Sequence, residues 1–219
     1  MKKIILHLCA DIGSDSFPYQ CDENYKVIKI GKEIGVENVR VICGNVYVDD
    51  FPPFHKNKIA GIIANPPCIE FSTARSTGKA REGSIGFKLV DHCMRIIKEC
   101  KPVWWALENP ARGTLKNYLG KPKYTYEPWE YGSPWTKRTA LWGDFNIPQK
   151  QYINWETVPK NGELYIRPGR PKPGFAFLHK SAIHNIPEFK PFIPFVKTDN
   201  CFRSLCSQGF AKAFKEVNQ

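Results

Sequence analysis

Short apolar runs and one amphipathic stretch alternate along the first two thirds of the chain. The apolar runs cover 3–10, 27–31, 38–46, 58–65 and 103–109, and 139–145 is a further candidate of the same kind. Residues 89–101 instead place apolar side chains at 89, 90, 93, 94, 96 and 97, a spacing that predicts an amphipathic helix. Continuous apolar strands separated by helices are typical of a parallel sheet covered on both faces. We therefore predict an α/β fold with a mostly parallel sheet and helices on both faces.

The composition changes near residue 146. Residues 146–202 are rich in proline and basic side chains, as in RPGRPKPGFAFLHK at 167–180, and this proline density excludes long helices and central strands. Residues 203–219 return to a helical pattern with one apolar face. We therefore predict a main α/β domain at 1–145, a small basic Pro-rich lobe at 146–202, and a C-terminal helix at 203–219 that returns to the main domain.

Charge and cysteine content narrow the class of protein. The formal net charge is +11, which favours a polyanionic partner, and nucleic acid first. No apolar run approaches the roughly 18 residues that span a membrane. The N-terminal apolar run is short and soon meets Asp11, so we interpret it as a buried strand and not as a signal peptide. The eight cysteines show no CxxC spacing, so we expect no metal site, and free thiols in a reducing cytoplasm.

The segment NPPCIEFS, residues 65–72, carries the first candidate chemistry. Two prolines hold the Cys68 thiol at the end of an apolar strand, which is a suitable position for a nucleophile. The same NPP could begin the (N/D)PP(Y/F/W) motif of amino-methyltransferases, although the fourth position here is cysteine and not aromatic. A buried cysteine in a rigid turn is the other alternative.

Two further segments carry ionisable groups at strand boundaries. In WWALENP, desolvation of Glu108 would raise the pKa of its carboxyl group and let it hold or supply a proton near neutrality, unless the side chain pairs locally. In YGSPWTKR, Lys137 and Arg138 suit a phosphate or a base carbonyl, unless they form a solvated surface pair.

Three segments directly follow apolar strands along the chain. They are the loop that contains Gly13, residues 65–68 and residues 108–110. Ligands of parallel sheets bind beyond the carboxyl ends of the strands. We therefore expect the three segments to line one crevice.

The order of the motifs sharpens this hypothesis. A Gly-containing first loop, PPCxxFS, ENP, YGxPxxKR and a C-terminal helix together resemble the motif series of the DNA cytosine C5-methyltransferases, and most closely the short forms found in phage and prophage genomes, which include restriction-modification enzymes. The resemblance covers residues 4–145 and 203–218. It implies a Rossmann-like S-adenosylmethionine-dependent methyltransferase fold, with S-adenosylmethionine as cofactor and double-stranded DNA as partner.

The resemblance also implies roles for four residues. Cys68 would add to C6 of a cytosine flipped out of the duplex, so that C5 can attack the methyl group of the cofactor. Glu108 would stabilise the developing charge by protonating or hydrogen-bonding N3 of the base. Pro67 and Asn109 would hold the loops that position these two groups.

The cofactor loop departs from the family pattern. The family's first motif reads roughly DLFxGxGG, and HLCADIGS stands here at 7–14, so that Gly13 is kept whereas Ser14 replaces the last glycine. Gly31 stands where the family has the acid that holds the ribose hydroxyls, with Glu33 as a possible substitute, and Asn45 stands where an aspartate would meet the adenine amine. The resemblance thus implies cofactor contacts for Cys9, Ala10, Asp11, Gly13, Glu33, Asn45 and Asn65.

The DNA contacts and two alternative functions complete the prediction. The DNA contacts that we expect are Ser72, Lys137, Arg138, Arg167, Arg170 and Lys172, although the lobe could instead be a solvated charged loop. The altered cofactor loop leaves open a catalytically degenerate DNA-binding homologue, or an enzyme that modifies another pyrimidine or uses another cofactor. We expect a cytoplasmic monomer without a membrane segment.

Overall fold

The computed structural model describes residues 2–31, 36–42, 45–47, 54–55, 59–71 and 84–219, with the backbone alone at 40–42, 45–47 and 54–55. Two residues with predicted contacts, Glu33 and Ser72, therefore lie outside the described residues, and the side chain of Asn45 does as well. Within the described part of the chain, no helix is long and apolar enough to cross a membrane.

The strands of the described residues form two sheets. In chain order they are β1 (Lys3–Leu8), β2 (Tyr25–Ile30), β3 (Arg40–Ile42), β4 (Asn45–Tyr47), β5 (Phe54–His55), β6 (Ile59–Ala64), β7 (Trp104–Pro110), β8 (Tyr124–Tyr126) and β9 (Thr139–Asp144). The larger sheet has the order β2-β1-β6-β7-β9-β8. Its first four strands are mutually parallel, whereas β9 runs antiparallel to β7 and β8.

Helices cover both faces of this sheet. The described α-helices are α1 (Phe17–Gln20), α2 (Ile85–Cys100), α3 (Lys116–Leu119), α4 (Asp199–Ser204) and α5 (Gln208–Val217). The apolar side of α2, with Val90 and Ile96, packs on one face of the sheet. Phe210 and Phe214 of α5 pack on the other face. All six residues of β6 are buried, as expected for a central strand covered on both sides. The predicted Rossmann-like α/β fold with a mostly parallel sheet is confirmed.

Two predicted elements differ from the structure. The C-terminal helix predicted at 203–219 is shorter, because α4 ends at Ser204, residues 205–207 are not helical, and α5 covers Gln208–Val217. The apolar run 38–46 suggests a single third strand of the main sheet, but it contains β3 and β4, which form a separate antiparallel sheet with β5. Ile42 pairs with Asn45, so only two residues connect the strands. So short a connection allows an antiparallel hairpin, whereas a parallel pair needs a crossover of a dozen or more residues.

Residues 146–198 form a lobe of short 3-10 helices and irregular segments beside the main sheet. Its apolar side chains, among them Phe175 and Phe189, form a cluster with Trp135 and with Phe202 of α4. Ile12 and Phe17, which follow β1, pack against this cluster. The lobe therefore lies beside the carboxyl edge of β1.

Candidate active site

Three strand ends meet at the carboxyl edge of the main sheet. The backbone N–H of Asn65, directly after β6, donates to the carbonyl of Leu8 at the end of β1 (3.0 Å). The side-chain Nδ2 of Asn109, on β7, donates to the carbonyl of Pro66 (3.0 Å). Asn109 is fully buried. The Asn-Pro-Pro-Cys segment is thus held between the ends of β1 and β7.

Cys68 opens a single 3-10 turn, Cys68–Glu70, and its residue surface is exposed. Pro67 precedes the turn with φ −52° and fixes the direction in which the chain enters it. Partial desolvation and the carboxylate of Glu108 raise the pKa of the Cys68 thiol, and the ammonium of Lys137 opposes this shift. The thiol therefore lies within electrostatic reach of both groups, and the fixed, exposed position suits a nucleophile.

Glu108 faces the same crevice from β7. Burial raises the pKa of its carboxyl group from 4.5 to about 7, and the charge of Asp15 adds to this effect. Lys137 and a hydrogen bond from Asn65 oppose it. The raised pKa agrees with the desolvation expected for Glu108. Near neutral pH this carboxyl group can both hold and release a proton.

A buried histidine links the three strand ends, and sequence reasoning missed it. His7 of β1 is 1% exposed. Its Nδ1 lies 2.8 Å from Oγ of Ser16, and its Nε2 lies 2.7 Å from Oδ1 of Asn65. Nδ2 of Asn65 then donates to Oε2 of Glu108 (3.3 Å) and to Oδ1 of Asp15 (3.4 Å). A polar residue inside the apolar run KIILHLCA was the signal that could have indicated this site.

The loop after β1 contains left-handed backbone at Cys9 (φ 53°) and at Gly13 (φ 83°). The side chain of Lys29, on β2, lies over Gly13 and fills the space that a Cβ would need there. Its Nζ donates to the carbonyl of Ile12 (3.2 Å). The backbone N–H of Ala10 donates to the carbonyl of Ile30 (3.0 Å). Lys29, which the motif comparison did not single out, is therefore part of this loop's surroundings.

The C-terminal segment bounds the same loop from the other side. The hydroxyl of Ser204 donates to Oδ2 of Asp11 (2.7 Å). The backbone N–H of Cys206 donates to Oγ of Ser14 (2.9 Å). Asp11 and Ser14 stand where the family pattern has glycine. Both hydrogen bonds therefore depend on side chains that the family pattern lacks. Cys9 points elsewhere, with its Sγ 3.8 Å from Sγ of Cys93 on α2.

Of the two predicted cations after the Gly-Ser-Pro turn, Lys137 faces the crevice. Its Nζ donates to the carbonyls of Leu205 (2.9 Å) and Ser204 (3.4 Å). Its charge lowers the pKa of both Glu108 and Cys68. Arg138, the next residue, is exposed.

The other predicted cations lie on the lobe. Nζ of Lys172 lies 4.5 Å from the ring centre of Trp129 and 5.0 Å from that of Trp155. The guanidinium of Arg167 lies 4.9 Å from the ring centre of Phe177. Arg170 is exposed. The structure thus places the predicted catalytic residues together and the predicted lobe contacts on a separate surface.

Two of the cavities in the described part of the chain lie at opposite edges of the main sheet. One of about 20 Å³ lies behind the site, between Asp15, Glu108 and Cys206, and holds at most about one water molecule. The other, about 400 Å³, is lined by Val103 and Asp144 among others. Because these two residues flank the amino end of β7 and the carboxyl end of antiparallel β9, that cavity lies at the opposite edge of the sheet.

Comparison with known proteins relates part of this chain to one family. Residues 36–121, which include Cys68 and Glu108, match the family model of the C-5 cytosine-specific DNA methylases. A Frog virus 3 (isolate Goorha) protein named "Probable DNA (cytosine-5)-methyltransferase" is 28% identical over 176 residues, which are 68% of this chain and 78% of that protein.

A solved structure is also similar. It is a crystal structure of an E. coli protein described as a DNA modification methyltransferase encoded within a prophage, with 16% identity and a TM-score of 0.40. The match covers 67% of this chain, and the chain spans about half (49%) of that protein's length. The family model over residues 36–121 and the viral relative thus both relate this chain to the C-5 cytosine-specific DNA methylases.

Proposed function

We propose that the protein is a DNA cytosine C5-methyltransferase that uses S-adenosylmethionine and forms a covalent adduct between Cys68 and the target base. The observation that carries the proposal is the pairing of an exposed, rigidly held thiol with a carboxyl group whose pKa is raised to about 7, in one crevice at the carboxyl edge of the sheet. Covalent addition to a pyrimidine needs a nucleophile on one side of the ring and a proton donor for the charge that develops on the other.

The geometry suggests a separate role in the reaction for each of these residues. Sγ of Cys68 adds to C6 of the flipped cytosine as its thiolate, which the nearby ammonium of Lys137 stabilises. Glu108 in its protonated form donates a hydrogen bond to N3, where negative charge develops as the C6–S bond forms. Because its pKa is about 7, a large share of Glu108 carries this proton at neutral pH. Asn109 keeps the segment that bears the thiol at a fixed position relative to Glu108.

The residues around the first loop fit the amino-acid end of S-adenosylmethionine. That end carries a carboxylate and an ammonium group. The ammonium of Lys29, which lies over Gly13, could pair with the carboxylate, and the carboxylate of Asp15 could pair with the ammonium group. These two residues would hold the cofactor there. When bound, the cofactor would supply the methyl group that C5 accepts. Loss of the C5 proton to a base and departure of the Cys68 thiolate from C6 would then restore the aromatic ring and free the enzyme. The predicted partners of its adenosine end, Glu33 and the side chain of Asn45, lie outside the described residues.

Double-stranded DNA is the substrate that the charge supports best. The net charge is +11, and residues 146–219 hold 11 Lys and Arg against 5 Asp and Glu. Cations on the lobe can neutralise DNA phosphates beside the crevice. A base that remains stacked in the duplex cannot reach the reactive groups inside the crevice. The target cytosine would therefore have to be flipped out of the duplex.

The proposal is tested by transfer of a radiolabelled methyl group to DNA, followed by bisulfite sequencing. Cys68→Ser is expected to lower the rate by about 1000-fold or more, because an alcohol is a far weaker nucleophile than a thiolate. Cys68 is exposed, so the variant should keep the circular dichroism spectrum and melting temperature of the wild type.

Cys21→Ser is the matched control, since Cys21 is another exposed free thiol, at the end of α1. It should retain full activity. A duplex with 5-fluorocytosine at the target should trap a covalent adduct with the wild type and with Cys21→Ser. Undiminished methylation by Cys68→Ser would show that another residue is the nucleophile.

A degenerate DNA-binding homologue is the second candidate. It is favoured by the hydrogen bonds that tie Asp11 and Ser14, at the family's glycine positions, to residues 204–206. Calorimetry separates the candidates: the methyltransferase binds S-adenosylhomocysteine, whereas a degenerate homologue binds DNA and shows no heat with millimolar S-adenosylhomocysteine.

A further inference from the structure

His7 is a buried polar residue that the proposed chemistry does not use. A buried imidazole must find hydrogen-bond partners, because an unpaired polar group in the interior is costly. His7 has two partners, Ser16 on one ring nitrogen and Asn65 on the other. Burial lowers the pKa of His7. The ring is therefore neutral at physiological pH and carries one proton.

The partners determine where that proton lies. Oδ1 of Asn65 can only accept, so Nε2 of His7 must be the donor in this contact. Nδ1 then accepts a hydrogen bond from the hydroxyl of Ser16 (2.8 Å), a shorter contact than the 3.2 Å between the same hydroxyl and the carbonyl of Gly13. A donor at Nε2 thus holds the Asn65 amide in the orientation that the carboxylates also favour, with its oxygen toward His7 and its NH2 group toward Glu108 and Asp15.

The orientation of this amide matters for Glu108. With the NH2 group toward it, Asn65 donates to Oε2 of Glu108 (3.3 Å) and to Oδ1 of Asp15 (3.4 Å). With the amide reversed, an oxygen would face both carboxylates and repel them. Without His7, only the two carboxylates would oppose the reversal, because the amide oxygen would lose the hydrogen bond that holds it.

Other charged or titratable groups reach Glu108 from the elements packed around it. They are Asp15 on the first loop, Lys137 before β9, Cys68 after β6, Cys206 before α5 and Tyr126 on β8. Asp15 and Lys29 act on His7. These neighbours are unchanged when only the amide orientation is altered, so the contribution of His7 can be measured separately.

We propose that His7 and Asn65 are positioning residues for Glu108: His7 fixes the Asn65 amide, and the amide NH2 group holds the Glu108 carboxyl group in one orientation and sets its proton affinity. The effect on catalysis rests on the proposed function, whereas the effect on the titration of Glu108 does not. His7 stands where the family pattern has aspartate. The hydrogen bond between His7 and Asn65 is therefore not part of that pattern.

The test follows the titration of Glu108 directly, by ¹³C NMR of protein with labelled glutamate, with Glu108→Gln used to assign the signal. His7→Leu removes the donor, and the pKa of Glu108 should rise by about one pH unit, because the ionised form loses a hydrogen bond. In His7→Gln, the side-chain amide can still donate to Asn65, and the pKa should stay near that of the wild type. His184→Leu, at an exposed histidine, is the matched control.

Asn65→Leu gives a second route to the same result if His7→Leu does not fold. It should raise the pKa of Glu108 as His7→Leu does. The double variant should raise it no further than Asn65→Leu alone, because His7 acts only through Asn65. Additive shifts, or an unchanged titration in His7→Leu and Asn65→Leu, would overturn the proposal.

The pH profile of methyl transfer provides the catalytic readout. In His7→Leu, the basic limb of the rate should move to higher pH together with Glu108. A merely structural role would lower the rate at every pH and leave the limb in place, which would contradict the proposal. If the NMR shifts occur and DNA is not methylated, the positioning role holds and the proposed function fails.

Discussion

At the scale of single residues, Glu108 combines a functional advantage with a cost in stability. Its pKa in the folded protein is about 7, against an ordinary value of 4.5. The folded protein therefore binds this proton more tightly than the unfolded chain does. The stabilisation that results is complete below about pH 4.5 and is lost as pH rises through 7. At alkaline pH, the buried Glu108 carboxylate therefore destabilises the folded protein.

This argument predicts that Glu108→Gln becomes relatively more stable as pH rises. A shift of 2.5 pH units corresponds to about 3 kcal/mol. The free energy of unfolding of the variant, relative to the wild type, should therefore increase by about 3 kcal/mol between pH 4.5 and pH 8, as measured by urea unfolding. Glu163→Gln, at an exposed position, should show no such trend. A difference independent of pH would show that Glu108 titrates normally.

Single residues also show how far the sequence predicts the site. Cys68 and Glu108 could be identified because proline and a strand end mark their positions along the chain. Asn109 was expected to hold a loop, and its hydrogen bond to Pro66 is consistent with that role. His7 and Lys29 could not be identified, since their partners come from other strands and a linear pattern does not show which distant side chains meet.

At the scale of elements, hydrophobic periodicity predicts the long, buried pieces well. β6 comes from a short, β-branched apolar run that ends at two prolines, and all six of its residues are buried. α2 has one apolar side, as its spacing predicts. The hairpin of β3 and β4 was missed because three-residue strands are too short to show alternation. β8, with its sequence YTY, was missed for the same reason.

The end of α5 supports a prediction at this scale. Asn218 is 1% exposed and exchanges two hydrogen bonds with the backbone of Asn146, just after β9 (2.7 and 2.9 Å). Asn218→Ala would break both, and we expect the free energy of unfolding to fall by about 2 kcal/mol. Gln219→Ala, one residue further and exposed, should change it by less than about 0.5 kcal/mol. Equal effects in the two variants would mean that Asn218 does not anchor the helix.

At the scale of the whole molecule, the exposed arginines of the lobe and the catalytic groups occupy different parts. Cys68 and Glu108 lie at the sheet edge, whereas Arg167 and Arg170 are exposed on the lobe. The lobe nevertheless shares an apolar cluster with Ile12 of the first loop. A duplex bound along the lobe would therefore lie beside the crevice, and the two functions could be separated by mutation.

The separation predicts a specific effect of salt on DNA binding. Each cation that neutralises a phosphate releases counterions, and the slope of log K against log salt changes by about 0.9 per contact. Replacing both Arg167 and Arg170 by glutamine should therefore make this slope less steep by about 2 and weaken binding roughly tenfold near physiological salt. Fluorescence anisotropy with a labelled duplex over a series of salt concentrations measures both quantities.

The control is Lys26→Gln/Lys98→Gln, which removes two exposed cations near the amino end of β2 and the carboxyl end of α2. If the control lowers the slope as much as the lobe variant does, binding follows net charge alone and the lobe is not the DNA surface. If the lobe variant loses affinity but methylates at the wild-type rate with saturating DNA, the lobe serves to bind DNA and the sheet edge carries the chemistry.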